Sequence, residues 1–122
     1  MRTVFAFKGG NCEDYVKNFS FLMNRKGEWR LSPTYDITFA YNPDNRWISR
    51  HQMSINGKTS GITDDDLMRF GKTIGLSAEF CRKTIARTDD VVSRWLEYAA
   101  KSGISDERAV EIKISISSPQ MN

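Results

Sequence analysis

Cysteine is scarce in this sequence of 122 residues, which contains only Cys12 and Cys81. Two cysteines without a secretory signal do not make a disulfide framework, and the CxxC spacing of redox motifs is absent. No histidine stands beside Cys12 to activate it as a nucleophile. We therefore interpret these residues as free thiols that are buried or inert.

Long apolar runs are missing as well, since none approaches the 18 or more residues that a membrane-spanning helix requires. The N-terminus also lacks a charged segment followed by a long apolar one, which argues against a secretory signal. Internal repeats and low-complexity tracts are absent. These absences predict a cytoplasmic protein with no membrane partner.

Histidine and glycine motifs are equally sparse. His51 is the only histidine, and no metal-ligand spacing surrounds it, so we assign it a surface or structural role. Gly9 and Gly10 lack the GxGxxG pattern of a nucleotide-binding loop. They are predicted to end a helix when the apolar run 4–7 is read as helical rather than as a short strand. That run begins the sequence, and we expect it to leave apolar surface exposed.

Composition is that of an ordinary soluble globular domain, with 39% hydrophobic and 27% charged residues. The length fits one domain, assigned to residues 1–122. Residues 1–61 carry nine Lys and Arg against five Asp and Glu, a balance of +4, while residues 62–122 carry nine against ten. A mildly basic half suits a phosphate ligand, but it lacks the clustered basic stripe of a nucleic-acid module, so no direct nucleic-acid binding is expected.

The region with the most information is the stretch 11–36. Two short apolar runs, 18–24 and 28–33, flank a link at residues 25–27 that contains glycine, which predicts a β-hairpin. If the turn centres on Lys26 and Gly27, the sequence numbers of the two residues in each facing pair sum to 53. This register predicts three facing pairs: Leu22 with Leu31, Arg25 with Glu28, and Asn18 with Tyr35.

The predicted hairpin returns the chain so that Asn18 lies beside Asp36. Glu13, Asp14 and Lys17 stand just upstream. Carboxylate and amide oxygens beside an ammonium group suit a hard cation and a phosphate. The alternative is that each polar side chain simply caps a strand or a turn, which is common beside hairpins.

The spacing Glu13-x-x-x-x-Asn18 is that of the protein-kinase catalytic loop, in which an Asp base precedes a metal-binding Asn by five residues. Residues 17–21 (KNFSF) and 29–36 (WRLSPTYD) also resemble the HipA family of serine/threonine kinase toxins. The resemblance continues through residues 37–39 (ITF), 51–54 (HQMS) and 56–58 (NGK). It covers the first half of the sequence well and the second half loosely.

The resemblance implies a role for each residue of this group. Glu13 stands where the family has its catalytic Asp, and Lys17 stands at the lysine beside the transferred phosphate. Asn18 and Asp36 stand at the Mg²⁺ ligands, with ATP as the implied nucleotide. Glu13 is one methylene longer than the family's Asp, and Tyr15 replaces the usual His, so the positions of the catalytic groups differ from the family pattern.

Helices are predicted for the second half of the sequence. The segment 42–61 is a long loop that corresponds, by the resemblance, to a kinase activation segment. A capping-box-like start at 63–66 precedes a helix that ends at Gly75. Ser77 is predicted to cap one long helix running to Gly103, and Ser105 begins a third helix. Residues 110–116 alternate like a strand, but we favour a helix that becomes extended near Ile114.

Together these features predict an α+β fold, mostly α, with a β-hairpin followed by a small helical bundle. It resembles the C-terminal lobe of a HipA-type kinase, from the catalytic loop onward, in a bacterial toxin–antitoxin system. No glycine-rich loop that grips a nucleotide is present, so the isolated chain is expected to be inactive. A separately encoded N-terminal lobe, a HipB-like DNA-binding antitoxin and a protein substrate are the expected partners. The alternative is a non-catalytic remnant that binds a partner or antitoxin.

Overall fold

The computed structural model describes residues 1–118 and confirms the predicted α+β class, in which helices dominate. The described residues form α1 (Arg2–Gly9), β1 (Phe21–Met23), β2 (Trp29–Leu31), α2 (Asp64–Thr73), α3 (Ala78–Ser93), α4 (Trp95–Lys101) and α5 (Asp106–Ile116). The two strands pair antiparallel. One helix therefore precedes the hairpin and four follow it. No helix within residues 1–118 is both long enough and apolar enough to span a bilayer.

The apolar run at the start of the chain is helical, and α1 packs against α3 at the centre of the fold. Gly10 ends α1 in the left-handed conformation, with φ 71°, as predicted for the glycine pair. Phe7 is buried in a core formed with Ile55, Ile62, Leu67 and Ile85. The expected exposure of this run is therefore wrong for Phe7, because the loop and α2 cover it.

The hairpin forms, but its register differs by one residue from the prediction. Leu22 pairs with Arg30 and not with Leu31, so the numbers of paired residues sum to 52. The connection is a three-residue loop in which Gly27 has φ 81°, and Asn24 rather than Arg25 bonds with Glu28. A turn followed by a left-handed glycine is the usual three-residue hairpin loop, and it adds one residue to the two that were assumed.

Both faces of the hairpin are open to solvent. The exposed apolar side chains on its strands are Phe21, Leu22, Met23, Trp29 and Leu31. Their exposed fractions range from 43% to 66%. Because a two-stranded hairpin is marginally stable by itself, it depends on the loops at its base for its position. Several exposed apolar side chains are thus grouped on the hairpin, where the prediction had placed them on the run 4–7.

The helix starts in the second half follow the predicted caps. Thr63 and Asp66 form a reciprocal capping box at α2, and Ser77 and Ser105 accept backbone N–H groups at the starts of α3 and α5. The single long helix predicted from Ser77 to Gly103 is wrong, because the chain breaks at Arg94 into α3 and α4.

The last helix resolves the ambiguous end of the sequence in favour of a helix. α5 continues past Ile114 to Ile116, and residues 119–122 lie outside the described part of the chain. Ile112 and Ile116 form a second small core, against which Trp95 and Phe39 pack. The Trp95 indole N–H also donates to the carbonyl of Ala109 at 2.8 Å. The break at Arg94 therefore lets the start of α4 pack against α5.

The segment 42–61 forms few regular elements but folds back onto the core. Ile55 and Lys58 exchange both backbone hydrogen bonds at 2.9 Å, around Asn56 with φ 52° and Gly57 with φ 81°. Two left-handed residues in this order make a type I′ turn, which Asn-Gly favours. Ile55 is 2% exposed, so this turn fixes the segment against the same core as Phe7.

Candidate functional site: the loop from Asn11 to Asn18

The loop 11–18, which follows α1, is joined to the segment after the hairpin. Asn11 and Ala40 form an isolated parallel bridge, in which the Cys12 N–H donates to the Ala40 carbonyl at 3.2 Å. Asn11 is also buried, and its Nδ2 donates to the backbone carbonyl of Asp36 at 3.5 Å. The loop therefore begins next to the segment that carries Asp36.

The other end of the loop is held by two further hydrogen bonds. Asn18 ends a 3-10 turn (Val16–Asn18), and its Nδ2 donates to the backbone carbonyl of Glu13 at 2.7 Å. The Tyr35 hydroxyl donates to the carbonyl of Lys17 at 2.9 Å. The predicted strand pairing of Asn18 with Tyr35 is wrong, because the strands begin only at Phe21, but this hydroxyl contact still joins the two regions.

These contacts leave the polar ends of the predicted site residues free. Within residues 1–118, the side chains of Glu13, Lys17 and Asp36 form no hydrogen bond or ion pair, and all three are exposed. Asp36 also has a left-handed backbone with φ 52°, which is uncommon outside glycine. Such conformations persist only where the surrounding structure holds them in place, and they are frequent at functional sites.

The donor atoms available here suit Mg²⁺ better than a transition metal. No group of three or more His, Cys, Asp and Glu side chains in the described chain could hold a metal ion. Because Asn18 uses its Nδ2 to bind Glu13, its Oδ1 stays available as a ligand, and both carboxylate oxygens of Asp36 are unused. Mg²⁺ is bound in this way by one or two protein oxygens, with water and substrate phosphates completing its shell.

Asp36 also lines a cavity of about 670 Å³ between α1, α3 and residues 34–37. Arg2 and Arg87 lie on its wall together with apolar side chains. Arg2 donates to the Ser32 carbonyl, while its Nη1 is buried without a partner among the described residues. Asp36 thus lines the same cavity as two arginines.

One buried hydrogen-bonded pair of side chains was not predicted from the sequence. Asp14 is 2% exposed, and its Oδ2 lies 2.8 Å from Nδ1 of His51, which is also 2% exposed. The Oδ1 atom of Asp14 accepts the backbone N–H groups of Gln52 at 2.8 Å and Met53 at 3.1 Å. His51 is therefore structural rather than a surface residue, and its ring packs against that of Phe7 in a tilted arrangement with centroids 4.2 Å apart.

The effect of this pair is to join the loop 11–18 to the segment 42–61. Asp14 directly follows Glu13, so the backbone beside the predicted base is held to residues 51–53 by three hydrogen bonds. A histidine and an aspartate 37 residues apart give no local sequence signal. The only indication was that Asp14 stood within the polar cluster.

Cys12 lies in the same loop, in an environment that disfavours its thiolate form. It is fully buried and free, as is the buried Cys81. Burial, together with the negative charge of nearby Asp14, raises the pKa of the Cys12 thiol to about 12. The thiolate is the reactive form of cysteine, so this environment disfavours reaction at Cys12, and the prediction that both thiols are free and buried is confirmed.

Comparison with known proteins identifies one family. The family model described as HipA-like C-terminal domain matches residues 1–95. The match includes α1, the loop 11–18, the hairpin, the segment 42–61, α2 and α3. No curated protein and no solved structure matches the chain.

Proposed function

Because the chain belongs to the HipA-like C-terminal domain family, we propose that it carries the catalytic loop and Mg²⁺ ligands of a serine/threonine protein kinase. The observation that carries this proposal is the double junction between the loop 11–18 and the segment 35–40. Asn11 bonds to Asp36, and Tyr35 bonds to Lys17. Phosphoryl transfer is catalysed mostly by positioning and charge. Both require that the loop 11–18 and the segment 35–40 are held in fixed positions relative to each other.

Each proposed role corresponds to a free polar group. Lys17 would hold a transferred phosphate, because its ammonium group pairs with no acidic residue within residues 1–118. Asn18 and Asp36 would hold Mg²⁺, which neutralises phosphate charge during transfer. Glu13 would accept the proton of a serine or threonine hydroxyl on a protein substrate.

Nucleotide binding requires more than this chain's 122 residues provide. Protein kinases bind ATP with a glycine-rich loop and a lysine on a sheet. The sequence contains neither in a recognisable form. We propose that a nucleotide-binding N-terminal lobe, in a longer protein or a separate chain, completes the enzyme. By family membership, the setting would be a bacterial toxin–antitoxin system with a HipB-like DNA-binding antitoxin in the cytoplasm.

The metal site can be tested without any kinase activity. Mn²⁺, which replaces Mg²⁺ at oxygen sites, broadens NMR signals of nearby nuclei through its unpaired electrons. Titration of the chain with Mn²⁺ should broaden the Asn18 side-chain amide and the Asp36 backbone amide before other signals. Asp36→Ala should abolish this selectivity, whereas Asp44→Ala, which removes another exposed carboxylate, should preserve it. Uniform broadening in the wild-type chain would contradict the assigned metal site.

A second candidate function is a non-catalytic binding module. The observation that favours it is the hairpin, whose apolar side chains are exposed on both faces. A partner that covers Trp29 and Leu22 would bury substantial apolar area regardless of catalysis. Phosphorylation assays with radiolabelled ATP on the chain combined with a nucleotide-binding lobe separate the two functions. Phosphate transfer that depends on Asp36 supports the kinase, and tight binding of the lobe without transfer supports the binding module.

A further inference from the structure

Two arginines in the segment 42–61 have no hydrogen-bonding or acidic partner among residues 1–118. The guanidinium groups of Arg46 and Arg50 form no hydrogen bond or ion pair with any residue in 1–118, and both side chains are exposed. Lys58, the remaining cation of the segment, is already bonded to Asp66 at 2.7 Å. Asp44, its one acidic residue, pairs with neither arginine. The two guanidinium groups are therefore available to an external anion.

Both arginines line the same concave surface. A cavity of about 530 Å³ is lined by Arg46, Trp47, Arg50, His51, Gln52 and Thr59, and we call it the arginine cavity. A neighbouring cavity of about 410 Å³ also has both arginines on its wall, together with Ser49 and Ser60. Hydroxyl groups beside guanidinium groups are suitable donors to phosphate or carboxylate oxygens.

The walls of the arginine cavity are held by specific contacts. The guanidinium of Arg46 stacks over the ring of Trp47, 4.4 Å from its centroid, which limits the freedom of a long side chain. The Gln52 side-chain amide donates to the Trp47 carbonyl at 2.6 Å. The His51 N–H donates to the Thr59 carbonyl at 2.9 Å, which closes the backbone around the cavity.

The position of the cavity relates it to the proposed active site. His51 is among the residues that line it, and the buried side chain of His51 bonds to Asp14, the residue after Glu13. The residue His51 therefore connects the arginine cavity to the loop 11–18.

We propose that the arginine cavity binds an anionic side chain, phosphate or carboxylate, of the protein substrate and so selects acceptors that carry negative charge near the phosphorylated residue. Arginine suits this role because its planar fork binds such oxygens in pairs. The role of this peptide as a kinase substrate rests on the proposed function, whereas the binding of an anionic peptide does not. His51 contributes the shape of the wall.

The test measures peptide binding by the chain without ATP. Three fluorescent peptides share one sequence around a serine acceptor and differ at one flanking position, which is phosphoserine, Glu or Gln. We expect the phosphoserine peptide to bind most tightly, the Glu peptide more weakly, and the Gln peptide least, because charge and oxygen number fall in that order. Fluorescence anisotropy at about 50 and 200 mM salt should show weaker binding at higher salt.

Variants locate the binding. The double variant Arg46→Ala with Arg50→Ala should weaken binding of the phosphoserine peptide by about tenfold, since it removes both guanidinium groups that would pair with the phosphate. The control, Arg69→Ala with Arg82→Ala, removes the same charge from exposed positions on α2 and α3 and should change binding less than twofold. Replacing both cavity arginines with Lys should restore part of the affinity, because charge returns without the fork.

Three results would overturn the proposal: equal binding of all three peptides, equal weakening by the control pair, or stronger competition by a DNA oligonucleotide than by the phosphoserine peptide. The last result would indicate a nucleic-acid surface. Asp36→Ala separates this proposal from the kinase assignment. If it abolishes phosphate transfer but leaves peptide binding intact, both proposals stand. If the arginine variants bind the peptide normally, only the proposal for the cavity fails.

Discussion

The Asp14 carboxylate lies 2.8 Å from Nδ1 of His51, and both side chains are almost fully buried. The N–H on Nδ1 donates to the carboxylate, and Nε2 has no partner among the described residues. The pair joins the loop beside Glu13 to the segment that contains the arginine cavity. Two regions that the proposed reaction must bring together are thus connected through the buried carboxylate of Asp14.

Removing the Asp14 carboxylate should destabilise the protein strongly. Asp14→Ala leaves Nδ1 of His51 and the amides of Gln52 and Met53 without acceptors, and each buried unpaired group costs about 1–3 kcal/mol. We expect a loss of about 3 kcal/mol or more in urea unfolding, with faster hydrogen exchange at both amides. Asp14→Asn retains an acceptor for these amides and should lose about half as much.

A control for this prediction is available on the surface. Asp65→Ala removes an exposed carboxylate and should change the free energy of unfolding by less than about 1 kcal/mol. His51→Asn should be milder than His51→Ala, because its amide can occupy the position of Nδ1 and donate to Asp14. An unchanged unfolding curve for Asp14→Ala would show that the pair contributes nothing to joining the two segments.

Acid should weaken the start of α2 through Asp66. This carboxylate accepts hydrogen bonds from Lys58 Nζ at 2.7 Å and from the backbone and hydroxyl of Thr63 at 3.0 and 2.9 Å. These bonds, that of Lys58 first, hold the pKa of Asp66 well below its usual range. A lowered pKa in the folded state stabilises the fold above the unfolded pKa of about 3.9, and this contribution is lost as pH falls.

The matching experiment compares Tm across pH for two neighbouring variants. Asp66→Asn should lower Tm at neutral pH, and the difference from wild type should narrow as pH falls from about 5 to about 2. Asp65→Asn, at an exposed position in the same helical turn, should give a small difference at every pH. A constant gap between wild type and Asp66→Asn would mean that the ionised form of Asp66 has no special role.

The exposed hairpin should cause self-association of the isolated chain. Trp29 is 66% exposed on β2, beside other open apolar side chains of the same hairpin. Trp29→Ser should therefore reduce oligomer content in sedimentation velocity while leaving Tm nearly unchanged, since little buried area is lost. Trp47→Ser is the matched control, because Trp47 is 64% exposed but lies outside the hairpin. A clean monomer for the wild type at high concentration would contradict this expectation.

Features that depend on neighbouring residues were predictable from the sequence. Thr63, Ser77 and Ser105 each cap a helix as expected, because a cap is formed by a side chain and the backbone three residues away. Gly10 ended α1 for a similarly local reason. The family also followed from the resemblance, and the family match to residues 1–95 confirms it, while the assignment of the site residues stays a prediction.

Features that depend on distant contacts were not predictable. The hairpin register shifted by one because Gly27 makes a three-residue loop, and the letters KG fit either loop length. The break at Arg94 has no proline or glycine to mark it, and it accompanies the packing of Trp95 on α5. The contact between Asp14 and His51 joins residues 37 positions apart, which no local pattern indicates.

The last prediction concerns the side chain at the proposed base position. Glu13 has its backbone carbonyl fixed by Asn18, so its carboxylate extends one methylene further than an Asp at the same place. A displacement of about 1 Å at a reacting group can change the rate by about a hundredfold. In the chain completed by a nucleotide-binding lobe, Glu13→Asp should therefore raise kcat by about tenfold or more and leave KM for ATP unchanged.

The same assay needs a variant that removes the base while preserving size. Glu13→Gln is nearly isosteric but cannot accept a proton, so kcat should fall by about a hundredfold or more, within the range for general-base catalysis. Glu28→Gln, at the end of the hairpin loop, tests the same chemical change at an exposed position outside the loop 11–18 and should be neutral. Mn²⁺ titration by NMR verifies that the Asn18 and Asp36 signals respond equally in all variants, which separates loss of the base from loss of the metal. The prediction is contradicted if Glu13→Asp has a lower kcat than the wild type while metal binding persists. The glutamate would then have the length that reaches the substrate hydroxyl, and the difference from the family's Asp would not reduce the rate.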